Sequence, residues 1–167
     1  TATDSADNTV SKDYTITVTD VNEEATLVLG NTTISENSTG GSVGTITITD
    51  PDIGSDNTLS ISGTDKDSFE LSGTTLKLKD SVSADFETDA SYSITLTATD
   101  SADNAVSKDY TITVTDVNET PSALALSAST FAENAAGVTV GILSATDPDS
   151  GETFTYSISG TDKDSFE

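Results

Sequence analysis

The chain has 167 residues, 29 Asp+Glu against 6 Lys+Arg, no His, no Cys and a formal net charge of -23, about one uncompensated negative charge for every seven residues. With no Arg and only scattered Lys, it lacks the basic surface that phosphate backbones and anionic membranes require, so nucleic acid is excluded as a direct partner. Without His or Cys there is no disulfide, no thiol catalysis, no usual zinc ligand and no commonest general base. No apolar run approaches the roughly 18 to 20 residues of a membrane span, so direct membrane insertion is not expected. The lack of Met and of a signal-peptide pattern reads as a piece of a longer, soluble protein.

Strong acidity with few aromatics is a signature of disorder, but the patterning opposes it. Residues 1–23 (TATDSADNTVSKDYTITVTDVNE) return almost unchanged as residues 97–119, and residues 60–70 (SISGTDKDSFE) return letter for letter as residues 157–167. The protein is therefore read as a tandem array with a period near 97 residues. On this reading residues 1–24 end one repeat, 25–119 form a complete one, and 120–167 begin a third. A sandwich needs all its strands to close a core, so neither end piece is expected to fold alone.

Within the complete repeat the sequence predicts strands near 26–35, 43–49, 59–62, 68–71, 75–79, 91–99 and 106–115. Tyr92, Ile94, Leu96 and Ala98 alternate with Ser93, Thr95, Thr97 and Thr99, and Tyr110, Ile112 and Val114 alternate with Thr111, Thr113 and Thr115. That is the period of a strand with one buried face and one hydroxylated face. Leu76 and Leu78 are read as inward, with Lys77 and Lys79 outward on an edge strand. Seven strands in about 95 residues imply an all-β fold, a seven-stranded Greek-key immunoglobulin-like β-sandwich in tandem.

The carboxylates gather at strand ends, in Asp50-Pro51-Asp52, Asp85-Phe86-Glu87, Asp100 and Asp116-Val117-Asn118-Glu119. Two carboxylates at i and i+2 on an extended loop can converge on one hard cation, and Gly54 or Gly151 just beyond permits a tight turn. Calcium, which takes six to eight oxygens, suits such clusters better than octahedral magnesium. The competing reading is that Asp and Asn here only form turns. An EF-hand does not fit: Ile61 stands at the twelfth position from Asp50, where a bidentate Glu is required, and no helices flank it.

These motifs together resemble a cadherin domain of the kind found in long bacterial surface adhesins. Ile34-Ser35-Glu36-Asn37 is similar to the family's N-terminal Glu motif, Asp50-Pro51-Asp52 to its Asp-x-Asp, and Asp85-Phe86-Glu87 to its Asp-Arg-Glu. Ala98-Thr99-Asp100 is similar to its Ala-x-Asp, and Asp116-Val117-Asn118-Glu119 to its linker. Phe86 stands where the pattern has Arg, and Glu119 and Thr120 where it has Asp and Asn.

The resemblance implies calcium between repeats. At the junction near Asp116 the ligands would be Glu36, Asp85, Glu87, Asp116, Asn118, Glu119, Asp147 and Asp149. At the junction near Asp20 they would be Asp20, Asn22, Glu23, Asp50, Asp52 and Asp100. Asn57 and Asn104 are candidates for added backbone carbonyls, and Asp4 and Glu133 would serve junctions further out. The function this implies is a calcium-stiffened spacer repeat of a secreted or cell-surface adhesin, working extracellularly. Its partners would be neighbouring repeats of the same chain or like chains. The alternative is a homophilic or glycan-binding module. That reading calls for exposed aromatics, yet there is no Trp, and Tyr14, Tyr92, Tyr110 and Tyr156 alternate with apolar residues as core positions do. A paired-carboxylate enzyme is the weakest reading, since it would place an active site in every repeat. The Asn-x-Thr triplets at Asn31, Asn37 and Asn118 are read as chance products of a Thr-rich chain.

Overall fold

The computed structural model describes residues 1–19, 21–52 and 56–167; the expectations placed on Asp20 and Gly54 lie outside the described residues. Strands β1 (Ala2–Thr3) and β2 (Thr9–Val10) form a short hairpin. The central sandwich follows: β3 (Thr26–Leu29), β4 (Thr33–Ser35), β5 (Ser42–Thr49), β6 (Thr58–Ser62), β7 (Phe69–Ser72), β8 (Thr75–Leu78), β9 (Ser91–Thr99) and β10 (Ala105–Thr115). Strands β11 (Ala123–Leu126) and β12 (Leu143–Thr146) pair beyond it.

The sandwich has two four-stranded sheets, ordered β4-β10-β9-β6 and β3-β5-β8-β7. All pairs are antiparallel except β4 with β10, where Val114 lies opposite Ile34 in parallel. The two inner faces close over Leu76, Leu78, Leu96 and Ile112, all at 0% exposure. Phe69 and Tyr92 meet edge to face across the sheets, with ring centroids 5.4 Å apart. The Tyr110 hydroxyl accepts from the Leu29 amide at 3.0 Å and donates to the Leu27 carbonyl at 3.2 Å, tying β10 to β3. Period-two alternation thus places one side of β9 and β10 in a common core and leaves the Ser/Thr side in water.

Three sequence expectations change. The predicted single strand over 26–35 is two strands in different sheets. Between them the Gly30 amide donates to the Thr45 carbonyl at 2.9 Å, and the Asn31 side-chain amide donates to the carbonyls of Thr33 and Val43, both at 2.8 Å. Those bonds satisfy the backbone where the chain leaves one sheet for the other. Gly44 sits against this crossing: a Cβ there would meet the Asn31 amide nitrogen at 2.9 Å.

The second change concerns β8, which is an interior strand flanked by β5 and β7. Leu76 and Leu78 do point inward, but Lys77 is matched by Glu70 directly opposite it (3.0 Å) and by Asp80 (2.7 Å), so its charge is paired across the sheet. The third concerns the tyrosines. Tyr92 is buried, whereas Tyr14 is 76% exposed and Tyr156 43% exposed.

Tyr14 belongs to a comparison the repeat provides. Residues 1–23 and 97–119 have nearly the same sequence, yet Ile112 and Val114 are 0% and 1% exposed while their copies Ile16 and Val18 are 84% and 89% exposed. Residues 105–115 form β10, but residues 11–19 form no strand. The strand exists because β4 and β9 flank it and an opposing sheet covers it, so its stability is tertiary in origin. Short-range structure behaves differently. The 3₁₀ turn Lys66–Ser68 recurs as Lys163–Ser165, preceded by Asp65 (φ -104, ψ 15) and Asp162 (φ -103, ψ 15), although Phe69 is 2% exposed and its copy Phe166 is 47% exposed.

Candidate metal centre

Glu36 follows β4, and its amide continues the β4-β10 pairing by donating to the Thr115 carbonyl at 3.1 Å. Its side chain is 3% exposed, the one buried charged residue among those described. One carboxylate oxygen accepts from the Phe86 amide at 3.0 Å and the other from the Val117 amide at 2.5 Å. A buried carboxylate therefore fastens the 85–87 loop to the segment leaving β10. The loop is itself wound tight: Asp85 Oδ1 accepts from the Thr88 amide and the Asp85 carbonyl from the Asp89 amide, both at 2.9 Å. Phe86 packs against the core, which turns Asp85 and Glu87 outward on either side of it.

This wiring brings Glu36, Asp85 and Glu87 together, each offering an oxygen within 4.8 Å of the others. Glu87, Asp116 and Asp149 make a second group by the same measure. Glu87 is common to both, so the two groups adjoin in one acidic centre drawn from four separate parts of the chain. Asp147 is joined to it through Asp149, whose amide donates to Asp147 Oδ1 at 3.2 Å. Asn118 donates to the Glu119 carbonyl at 2.7 Å. Glu119 donates its amide to Asp149 Oδ2 at 2.7 Å and accepts from the Asn37 side chain on Oε1 at 2.5 Å. Its Oε2 is buried without a hydrogen-bond partner.

The crowding shows in proton affinity. Loss of water pushes Glu87 above the ordinary carboxyl range, and the charges of Glu36 and Glu119 push it further. Desolvation raises Asp116 as well, with Asp149 and Glu36 adding to it. At Glu119 the Asn37 amide pulls downward, yet burial and the charges of Glu36, Asp149 and Asp116 together prevail and the group is raised. Each of these carboxylates is held where a negative charge is disfavoured, which is the state a cation relieves.

The other predicted junction repeats the wiring. The Glu23 amide donates to Asp52 Oδ2 at 2.9 Å, Asn22 donates to the Glu23 carbonyl at 3.1 Å, and the Asp52 amide donates to Asp50 Oδ1 at 3.0 Å. Asp100 faces the same space: Asn22, Glu23, Asp50 and Asp100 line one cavity of about 460 Å³. Asn57 and Asn104 enter through their side chains, donating to Asp50 Oδ2 at 3.1 Å and Asp100 Oδ2 at 3.0 Å. No group of three carboxylates as close as those around Glu87 occurs there among the described residues.

The Asp100 loop is built locally. Asp100 Oδ1 accepts from the amides of Ala102 (2.8 Å) and Asn104 (2.9 Å), and Asp103 takes φ 66. Asp4 accepts from Ala6 and Asn8, both at 2.9 Å, and Asp7 takes φ 62. The same loop forms at Asp4 without a sandwich around it. Its hydrogen bonds, first from Asn104 and Asn8, hold Asp100 and Asp4 below the ordinary range. Glu133 is exposed.

Composition and spacing did not single out Asn37, whose side chain the fold brings onto Glu119 at this centre. It stands at φ 60, and its copy Asn134 at φ 62. The available signal was the recurrence of Glu-Asn at Glu36-Asn37 and Glu133-Asn134, since Asn is among the few residues that accept a left-handed backbone.

Among known proteins, residues 31–115 match the family model for the cadherin domain. The structure resembles extracellular cadherin domains 1–5 of protocadherin gamma B2 (24% identity, TM-score 0.57, covering 80% of this chain and 28% of that one). It also resembles the EC3–6 cis-dimer structure of protocadherin gammaB7 (26% identity, TM-score 0.53, 78% and 34%). A third likeness is human protocadherin-24 EC1–2 in its second form (21% identity, TM-score 0.60, 79% and 64%). The chain thus spans about a third or less of the first two of these proteins. A search of curated proteins finds no match. With the family model covering 31–115 and the two-sheet sandwich agreeing with it, the chain belongs to the cadherin domain family.

Proposed function

We propose that the chain is part of a calcium-stiffened spacer array in a secreted or surface-anchored adhesin of bacterial type, with repeat boundaries near 24–25 and 119–120. The observation that carries this reading is Glu87, whose carboxylate lies within 4.8 Å of oxygens from Glu36 and Asp85 in one group and of oxygens from Asp116 and Asp149 in another. Oxygen donors alone, on short loops, suit a hard cation of high coordination number. The buried, unpartnered Oε2 of Glu119 and the raised carboxyls of Glu87, Asp116 and Glu119 fit the same group. Calcium would be held by Glu36, Asp85, Glu87, Asp116, Asn118, Glu119, Asp147 and Asp149 at one junction. At the other, Asn22, Glu23, Asp50, Asp52 and Asp100 would hold it, with Asp20 added from the sequence motif. Bound there, it supplies positive charge shared among ligands from both sides of the junction.

This chain's residues do the orienting. Glu36 fixes the loop and the departing segment together, and Asp149 takes the Glu119 amide, so the segment 116–119 is held from both ends. Stripped of metal, the carboxylates repel and the junction loosens. Extracellular calcium modules bind at about 10⁻⁴ to 10⁻³ M, which sets occupancy high outside cells and low within them. Near-identical neighbouring copies support a role in length and stiffness, because a spacer unit need not differ from its neighbour. The test is calorimetric titration of the chain with calcium, beside an Asp85→Ala, Glu87→Ala variant with unchanged circular dichroism. Binding is expected in the parent and a loss of at least one site in the variant; identical isotherms would refute the assignment.

A further inference from the structure

We propose that Asn37 is a positioning residue, whose side-chain amide holds one oxygen of Glu119 so that the other is presented to a cation at the junction. This rests on the calcium reading above. The Asn37 amide nitrogen Nδ2 donates to Glu119 Oε1 at 2.5 Å, while Glu119 Oε2 is buried and has no hydrogen-bond partner. Glu119 is also held by its own amide on Asp149 and by Asn118 on its carbonyl. The residue is therefore fixed at backbone and at one carboxylate oxygen, and the remaining oxygen faces neither water nor a donor. Leaving such an oxygen unmet is costly, and an amide that occupies only its partner oxygen selects which one a cation can take.

The backbone at Asn37 explains the residue type. Its own N–H donates to the Ala84 carbonyl at 2.9 Å, and φ 60 places it in the left-handed region. Gly, Asn and Asp tolerate that conformation, but of these only Asn adds a neutral donor. A Glu side chain has more rotamers to lose on ligation than an Asp, so a second residue that orders it in advance restores part of what the longer side chain forfeits.

Three variants of the 167-residue chain test this. Asn37→Gly keeps the left-handed backbone and deletes only the amide; the expected result is calcium binding at this junction weakened about tenfold, the effect of one hydrogen bond to a charged group. Asn37→Asp keeps size and backbone but sets a carboxylate against Glu119, and a larger loss is expected. In a Glu119→Ala background Asn37→Gly should have no further effect, a coupling that a purely structural role would not produce. A readout independent of metal is the Asn37 side-chain amide resonance in EGTA, which should move to the position of a free amide in Glu119→Ala. If the parent binds calcium and Asn37→Gly binds it equally well, or if the two substitutions add in full, the positioning role is wrong while the calcium reading stands. If the parent binds no calcium, both fall.

Discussion

The backbone amide of Glu119 donates to the carboxylate of Asp149 at 2.7 Å, and 96 positions earlier the amide of Glu23 donates to Asp52 at 2.9 Å. The same atom pair recurs at both proposed junctions, once with a residue of the N-terminal piece and once with a residue of the C-terminal piece, so the contact follows the repeated sequence. The bond holds the segment 116–119 against the loop that carries Asp147 and Asp149.

Replacing Asp149 should therefore have two effects. In Asp149→Ala the Glu119 amide loses its acceptor, and its hydrogen-exchange protection in EGTA should fall. Calcium binding at that junction should weaken about tenfold or more, because a ligand and a charge-assisted hydrogen bond are lost together. Retained protection would show that the bond does not order the segment.

The duplicated sequence allows a paired test of the core. Ile112→Ala empties a fully buried position and should destabilise the sandwich by about 2 to 5 kcal/mol in denaturant unfolding. Ile16→Ala, the identical change at an 84% exposed position, should stay within about 0.5 kcal/mol. Equal effects would mean that residues 11–19 are packed as residues 107–115 are.

A third prediction concerns acid. Glu87, Asp116 and Glu119 are raised, Glu87 and Asp116 first by desolvation and Glu119 by burial and its acidic neighbours against the Asn37 bond. A carboxyl whose folded value exceeds its unfolded one binds more protons when folded. Its charged form thus weakens the metal-free junction above that window, and the penalty disappears as pH falls below the ordinary carboxyl range of about 4 to 4.5. Calcium must displace those protons, so affinity should drop as pH falls into the raised range above the ordinary carboxyl values, and the binding enthalpy there should vary with the buffer's ionisation enthalpy. An enthalpy independent of buffer would contradict the raised values.

The crossing between sheets gives a fourth. Asn31→Ala removes donors to the exposed Thr33 and the part-buried Val43 carbonyls and should cost about 1 to 3 kcal/mol in thermal or chemical unfolding, chiefly the penalty of the Val43 acceptor left unmet. Asn31→Asp, which cannot donate, should cost at least as much. Neutral outcomes would mean that water replaces the amide.

These particulars also mark what the sequence could tell. The inward residues of β9 and β10 follow from alternation alone, and the acidic motifs at Glu36, Asp85, Glu87, Asp116 and Asp149 are recognisable by type and order. Loops such as Asp100–Asn104 are legible because their hydrogen bonds are made within five residues, as the copy at Asp4–Asn8 demonstrates. What could not be read was non-local. Nothing in the string TLVLGNTTIS says that its halves belong to different sheets, because the partners that divide them, β5 and β10, are distant in sequence. Lys77 resembles an edge residue until Glu70 is placed opposite it. Asn37 gained a role only when folding brought Glu119, 82 positions on, against its side chain.

The most direct test of the account is small-angle X-ray scattering of a protein carrying several complete repeats, measured with millimolar calcium and again with EGTA. A rod-like profile is expected with calcium, and a shorter maximum dimension with a broader distance distribution without it. Profiles that superimpose in the two conditions would contradict calcium stiffening at the junctions.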